Sequence, residues 1–277
     1  MSLPVTRIKI LCARLLYAVT TLFVGKERRV IERGGIRYEV DLAEGIELSL
    51  YLFGGFQRHV TANTLHGLPD DAVLIDVGAN VGLMTLQFAK QVPNGTVHAF
   101  EPTHYAWERL LRNLSLNPEL ARRVVVNHAF LSANSSETPA ITAYSSWRVD
   151  GSNTAEDHPL HCGTPKSADG VSAVSLDDYV RQQGLSRVDF IKIDTDGHEP
   201  DVLRGAAAVI ARFRPRIVFE IGQYVMAEKG LDFGFYQHFF GELGYRLIDT
   251  VTGKTVTAGN YRQMIPAKGS TDLLALP

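Results

Sequence analysis

Short hydrophobic runs alternate with segments of helical periodicity along most of the chain after residue 72. Apolar, β-branched runs predict strands at 73–77, 96–100, 124–131, 189–193, 216–220 and 245–249. Apolar residues three and four apart predict helices at 81–91, 105–116, 200–213 and 233–243. Such alternation is typical of βαβ units around a mainly parallel sheet. We therefore predict a doubly wound α/β fold, to which the tail through 264–265 and 273–274 adds an antiparallel edge strand.

Residues 1–50 have a different pattern, and we expect them to form an N-terminal helical and strand extension before a main domain at 51–277. Leu11, Leu15 and Leu22 fall at helical spacing among basic residues. The uninterrupted apolar run at 15–24 is too short to span a bilayer, and no small-residue cleavage site follows it. Two interpretations stay open: a helix docked on the domain or on a second subunit of a homo-oligomer, or a helix lying on an anionic membrane. Segments 32–40 and 47–53 read as short strands or a helix-to-strand lead-in.

Composition narrows the class of protein. The net charge is −2 over 277 residues, with 45% hydrophobic and 21% charged residues, which is ordinary for a globular protein. No basic arm or basic aromatic patch is visible, so we expect no nucleic-acid partner. Cys12 and Cys162 are far apart and suit a reducing compartment. We expect a cytoplasmic protein. The N-terminal helix suggests an alternative location, peripheral to the inner face of the membrane.

The loop after the first predicted strand carries the first candidate site. It contains Asp76, Gly78, Asn80 and Gly82 and runs directly into a helix. The spacing departs from the G-x-G-x-x-G pattern that cradles a pyrophosphate, which favours a smaller polar ligand. Glu101 ends the second strand, where a carboxylate can accept hydrogen bonds from a ribose diol. Together these residues indicate a nucleoside site, and Asp76 is placed to meet a cationic group of the ligand.

A second polar cluster follows the fourth strand, where Asp194, Asp196 and His198 lie within five residues. Charges at a strand end are costly unless they are paired or used. A divalent metal is one interpretation, but the spacing fits no standard ligand motif and no metal ligands are assigned. Glu220, which ends the fifth strand, would complete such a site or orient the molecule that reacts.

At this point the chain resembles the FkbM-type S-adenosylmethionine-dependent methyltransferases. The resemblance covers about residues 50 to 225 and lies in the stretches 75–82, 100–102, 190–199, 202–206 and 218–221. It implies a class I methyltransferase fold, Rossmann-like and doubly wound. It also implies that Asp76, Gly78, Asn80, Gly82 and Glu101 hold the cofactor, with Asp194 at the methyl-transfer site. Asp196 stands where the family commonly has Glu, and the position of His198 is variable in the family.

Two further residues extend the expected cofactor site, and a polar loop supplies the expected acceptor site. Pro102 follows Glu101, and Ala129 ends the third strand where an adenine ring would be flanked.

The loop from 145 to 167 offers an aromatic platform with hydrogen-bonding groups, which suits a carbohydrate. The expected substrate-binding residues of this loop are Trp147, Arg148, Ser152 and Asn153. Glu220, outside the loop, is expected to join them.

The sequence therefore predicts an O-methyltransferase that uses S-adenosylmethionine and acts on a small molecule or glycan. The resemblance gives a sugar hydroxyl as the expected acceptor. His198 is the first candidate for the base, because its ordinary pKa of about 6.5 suits proton transfer near neutral pH. Asp194 or Asp196 would orient that imidazole or act instead of it. The alternatives are an NAD-dependent oxidoreductase or epimerase, disfavoured by the glycine spacing, and a non-catalytic sugar- or lipid-binding protein of the same fold.

Overall fold

The computed structural model describes residues 5–55, 58–135, 143–144, 148–152, 165–166, 168 and 170–277. The strands are β1 (Arg29–Arg33), β2 (Ile36–Val40), β3 (Val73–Val77), β4 (Thr96–Phe100), β5 (Val124–Asn127), β6 (Ala129–Leu131), β7 (Ala143–Tyr144), β8 (Pro165–Lys166), β9 (Ser172–Val174), β10 (Phe190–Ile193), β11 (Arg216–Gly222), β12 (Arg246–Asp249) and β13 (Ser270–Leu276).

The helices are α1 (Val5–Val24), α2 (Gly45–Phe53), α3 (Arg58–Thr64), α4 (Leu83–Gln91), α5 (His104–Ser115), α6 (Pro118–Ala121), α7 (Leu176–Gln182), α8 (Glu199–Arg204), α9 (Ala207–Phe213), α10 (Gln223–Glu228), α11 (Phe233–Glu242) and α12 (Tyr261–Met264).

A seven-stranded sheet in the order β12-β13-β11-β10-β3-β4-β5 forms the centre of the molecule. Strands β5, β4, β3, β10 and β11 are parallel, while β13 is antiparallel to both of its neighbours. The chain builds outward from β3 to β4 and β5, then returns to β10 on the other side of β3. This reversal between β3 and β10 is the topological switch point, where doubly wound sheets bind ligands. The doubly wound, mainly parallel fold predicted from the sequence is confirmed.

Strand burial explains why the sequence forms this sheet. Alternate residues of β3 and β10 face opposite sides, and both sides are covered by apolar side chains, as a parallel sheet requires. Ile75 and Ile191 belong to one core cluster, whereas Leu74 and Phe190 belong to another on the opposite face. Phe190 packs edge-to-face on Phe88 of α4, with ring centroids 5.5 Å apart.

Several element predictions were wrong in detail. The antiparallel strand is not at the edge, because β13 pairs on both sides and leaves β12 as the edge strand. The single strand expected at 124–131 divides at His128 into β5 and β6, which join different sheets. The single helix expected at 200–213 divides at Gly205, where the backbone passes so close to Ser132 that an added Cβ would lie 2.1 Å from its carbonyl oxygen. Segment 47–53 belongs to helix α2.

The N-terminal extension packs into the main core. Tyr38 and Leu48 share a cluster with Leu86 of α4 and Leu110 of α5. A buried ion pair joins the two parts, since the guanidinium of Arg109 contacts both carboxylate oxygens of Glu47 at 2.5 and 2.6 Å. The division at residue 50 stays a prediction, and helix α2 crosses that residue.

Candidate active site

The polar residues singled out in the sequence lie where β3, β4 and β10 end, around the switch point. Gly78 follows β3 with φ +74°. A Cβ added there would come within 1.8 Å of the Asp194 carbonyl oxygen, which follows β10. Glycine at 78 is therefore required by the close approach of these two strand ends, in addition to its left-handed backbone. The contact brings the loop at 78–82 against the polar residues that follow β10, the strand predicted as the fourth.

Backbone geometry and one carboxylate fix the rest of this loop. Asn80 and Gly82 also have positive φ, +50° and +85°. The Asn80 backbone N–H donates to Glu101 Oε2 at 2.8 Å. A Cβ at Gly82 would lie 2.4 Å from the Cδ1 of Leu110, so glycine there permits helix α5 to pack closely. The predicted partnership of the glycine loop with Glu101 is thus present as a direct contact.

Glu101 is buried, and protein donors already use much of its hydrogen-bonding capacity. Its Oε1 accepts from the Thr103 backbone N–H at 2.9 Å and from the Thr103 hydroxyl at 2.6 Å. Burial raises the pKa of the carboxyl, and these hydrogen bonds oppose the rise. A carboxylate has about four acceptor positions, so about one remains beside the three in use. Rotation of the Thr103 hydroxyl would release a second for a diol.

A buried lysine on β10 connects this strand with the neighbouring strand β3. Lys192 Nζ lies 3.5 Å from Asp76 Oδ1 and 3.4 Å from Asp194 Oδ2, and it donates to the Gly78 carbonyl at 3.0 Å. The register places Lys192 directly beside Asp76 on neighbouring strands. Burial alone would lower the pKa of the ammonium, but the Asp194 and Asp76 carboxylates outweigh it and leave the pKa raised. The lysine therefore stays charged.

Asp76 occupies a different position from the one expected. Its side chain is 0% exposed, and its Oδ2 accepts from the Thr85 hydroxyl at 2.6 Å. Its Oδ1 has no hydrogen bond within the described part of the chain. The cation beside it is the ammonium of Lys192, so a direct contact with a ligand ammonium would require Asp76 to become accessible.

The loop from β10 to α8 is organised by a second carboxylate that the sequence analysis gave no role. Glu199 is buried, and its Oε1 accepts from the Thr195 backbone N–H at 2.9 Å, the Thr195 hydroxyl at 3.0 Å and the Gly197 N–H at 3.2 Å. The loop includes Asp196 at φ +52°, a left-handed conformation that is uncommon for a residue with a side chain. Such strained positions cluster at functional sites.

Four carboxylates meet at this end of the sheet. The Asp196 side chain is exposed to solvent yet has dense protein on most sides, as in an open cleft. Burial raises its pKa well above the ordinary value, and repulsion from Asp194 and Glu199 adds to the rise. Glu220 behaves in the same way, raised by burial and by Asp194, Asp196 and Glu199, while the Ser270 hydroxyl donates to it. A cationic ligand would relieve the repulsion among these carboxyl groups.

His198 begins helix α8 and is partly buried. Its ring packs edge-on to Phe130, with centroids 5.0 Å apart. Pro102, two residues after β4, and Ala129, the first residue of β6, are both partly buried, and the Pro102 carbonyl contacts His128 Nε2 at 3.1 Å. His198 thus follows Asp194 and Asp196 in the loop between β10 and α8, and its ring lies against Phe130 of β6.

The expected acceptor loop is described only in part, since Trp147 and Asn153 lie outside the described residues. Arg148 contacts Glu44 at 3.1 Å and Ser152 Oγ at 2.8 Å, and it pairs with Asp150. The Arg148 guanidinium thus ties this segment to the N-terminal extension. The Tyr105 hydroxyl also donates to Glu44, at 3.3 Å, which connects the segment to the first turn of α5.

Lys192 and Glu199 are functional candidates that sequence reasoning missed. The signal for Lys192 was a charge in the middle of an otherwise apolar four-residue strand, because a buried charge demands a partner. No group of three or more His, Cys, Asp or Glu side chains in the described ranges has an arrangement that could hold a metal ion.

Comparison with known proteins agrees with this geometry. A family model described as methyltransferase FkbM domain matches residues 76–247. Methyltransferase sdnD of Sordaria araneosa is 28% identical over 160 residues, which are 50% of this chain and 61% of that protein. The 31-O-demethyl-FK506 methyltransferase FkbM of Streptomyces tacrolimicus is 29% identical over 163 residues, 50% of this chain and 62% of that protein. The match therefore spans less than two thirds of the length of these curated relatives.

Among solved structures, methyltransferase FkbM from Methylobacillus flagellatus KT aligns over 97% of this chain and 58% of its own. The two are 16% identical, with a TM-score of 0.48.

Proposed function

The chain belongs to the FkbM methyltransferase domain family, and we propose that it transfers a methyl group from S-adenosylmethionine to a hydroxyl oxygen. The observation that carries the proposal is the convergence of the glycine loop, Glu101 and the fourth-strand carboxylates at the switch point of the sheet. The Asn80-to-Glu101 contact and the Lys192 bridge make these elements one unit. The family match includes all of them.

The residues present fit this cofactor in charge and shape. S-adenosylmethionine supplies, when bound, an electrophilic methyl group on a positively charged sulfonium. The backbone of the loop at 78–82 and the remaining acceptor position of Glu101 would hold its nucleoside part. Asp194, which is partly exposed at the end of β10, would face its cationic part. The excess of carboxylates described above gives the cleft the complementary sign.

The protein's own contribution is alignment and proton transfer. Holding a nucleophile in line with the group that it attacks can supply about 7–11 kcal/mol of the barrier in favourable cases. A hydroxyl attacks poorly while it keeps its proton, so a base beside it helps by about 10²–10⁴-fold. We assign this role to a ring nitrogen of His198, with Asp194 and Asp196 as the neighbouring carboxylates that would orient the imidazole and stabilise its protonated form.

For the acceptor, we propose a sugar hydroxyl on a small molecule or glycan. The support is the polar composition of the loop at 145–167 and the family resemblance, together with the position of its described part. Arg148 and Ser152 lie beside Glu44 and Tyr105, and Tyr105 lies in the helix that follows Glu101. Glu220 would meet the acceptor from β11.

Calorimetry with S-adenosylhomocysteine and with NAD tests the cofactor assignment. We expect micromolar or tighter binding of S-adenosylhomocysteine and no saturable binding of NAD. A Glu101→Gln variant should weaken nucleoside binding by about tenfold, since one charged hydrogen bond contributes about 1.5–3 kcal/mol. Preference for NAD would refute the proposal. Transfer of a labelled methyl group into carbohydrate acceptors then tests the acceptor class.

A further inference from the structure

Helix α1 packs on the domain with its less apolar side and leaves its apolar side in solvent. The side toward the protein consists of Ala13, Arg14, Tyr17, Thr20 and Thr21, which are buried or partly buried. Tyr17 shares a core cluster with Ala43 and Val149. A helix of a globular protein normally does the reverse and buries its apolar stripe. The orientation of α1 therefore requires an explanation from outside the domain.

The exposed side is continuous and entirely apolar. Its large side chains are Leu11, Leu15, Leu16, Val19, Leu22 and Phe23. At 100° per residue these positions occupy one arc of the helix, opposite to the arc of the packed residues. Exposure is greatest toward the C-terminal end, at 82% for Leu22 and 84% for Phe23. Contiguous apolar patches of this kind mark interaction sites.

The charges around the helix select the partner. Residues 1–29 contain six basic residues and one acidic residue, Glu27. Four of these basic residues lie near the two ends of the helix in sequence: Arg7 and Lys9 early in it, and Lys26 and Arg28 just after it, where Arg28 lies 3.7 Å from Asp41. A second copy seated on the arc would bring these predominantly basic ends together in either orientation, with Glu27 and Asp41 as the nearby acidic residues. An anionic surface would instead be attracted to both ends.

We propose that α1 docks the protein on the surface of a bilayer that contains anionic lipid, with its apolar arc inserted at the headgroup boundary. Among the described residues no helix is long and apolar enough to cross a membrane. An interfacial helix combines these features: an apolar face with Leu and Phe, basic residues beside it and an orientation parallel to the surface. Leu22 and Phe23 make the deepest contact, and Lys26 and Arg28 lie at the level of the phosphates.

Vesicle co-sedimentation of the full chain tests the proposal. Vesicles of phosphatidylcholine alone are compared with vesicles that also contain phosphatidylglycerol. We expect binding to the mixed vesicles and little to the neutral ones. Leu22→Gln with Phe23→Gln should weaken binding on the order of a hundredfold, because two large apolar contacts are lost. Lys26→Gln should weaken it about fivefold.

Val251→Gln is the matched control, since Val251 is 65% exposed in a turn far along the chain. This variant should bind like the parent protein. Binding of S-adenosylhomocysteine by each variant verifies that the domain is folded, independently of the membrane result. Equal binding to neutral vesicles, unchanged binding of the Leu22 and Phe23 double variant, or no binding by the parent would overturn the proposal. So would a dimer in light scattering that the double variant dissolves while no vesicle is bound.

Discussion

Replacing Lys192 with methionine is the most informative perturbation of the site. The variant keeps the volume and apolar stem of the side chain but removes its charge. Asp76 would then be a fully buried carboxylate without the cation that lies 3.5 Å from its Oδ1. The Gly78 carbonyl would also lose its 3.0 Å donor. Breaking one side of a buried ion pair costs about 3–5 kcal/mol, because the remaining charge is uncompensated.

Urea unfolding near neutral pH measures this cost, and a double variant isolates its cause. Lys192→Met alone should lower the free energy of unfolding by about 3–5 kcal/mol. Adding Asp76→Asn removes the stranded charge and should restore more than half of the loss, since coupled neighbours are strongly non-additive. Lys254→Met, at an exposed position between β12 and α12, should change stability by less than about 0.5 kcal/mol. A loss below about 1 kcal/mol for Lys192→Met, or no recovery with Asp76→Asn, would refute the reasoning.

Three more predictions concern the neighbouring loops. Gly78→Ala should destabilise the protein far more than Gly151→Ala, because both have positive φ but only Gly78 has an atom, the Asp194 carbonyl oxygen, in the path of a Cβ; equal melting temperatures would contradict this. Asp196→Asn should raise stability near neutral pH, because it removes a carboxylate that Asp194 and Glu199 repel. Because the pKa of Asp196 is raised, the folded parent binds more protons than the unfolded chain. The stability that the protonated Asp196 carboxyl contributes is therefore present below about pH 4 and is lost as pH rises through the folded pKa. The variant should show a flatter pH profile in urea unfolding, and an unchanged profile would contradict the shift. His198→Ala should lower the rate of methyl transfer at saturating cofactor by about 10²-fold or more while calorimetry shows unchanged cofactor affinity; full activity would exclude His198 as the base.

The sequence predicted the order of strands and helices because apolar runs and glycine turns are local signals. It also identified the strand ends that meet, since parallel strands place their carboxyl ends at one edge of the sheet. The buried setting of Asp76 was not predictable, because it depends on Lys192, which is distant in sequence and adjacent only in the folded sheet. The break at His128 and the interior position of β13 likewise depend on pairing partners that no local pattern reveals.

The N-terminal helix shows a different limit of prediction. Its period and its apolar stripe were visible in the sequence, but the side that contacts the domain was not. Tyr17 is the buried member, and its core cluster includes Val149, which is more than a hundred residues away in the chain. Amphipathic patterning alone would have turned the leucines inward.

The van der Waals contact between Gly78 and the Asp194 carbonyl has a consequence for how such a protein can change. Neither strand end can gain bulk or move toward the other without displacing it, so the loop proposed to hold the nucleoside and the loop proposed to lie at the reaction must move together. Exchange of acceptor preference between related chains should therefore succeed through segments beyond this joint, such as 145–167, whereas a graft that replaces only one of the two interlocked loops should fail to fold.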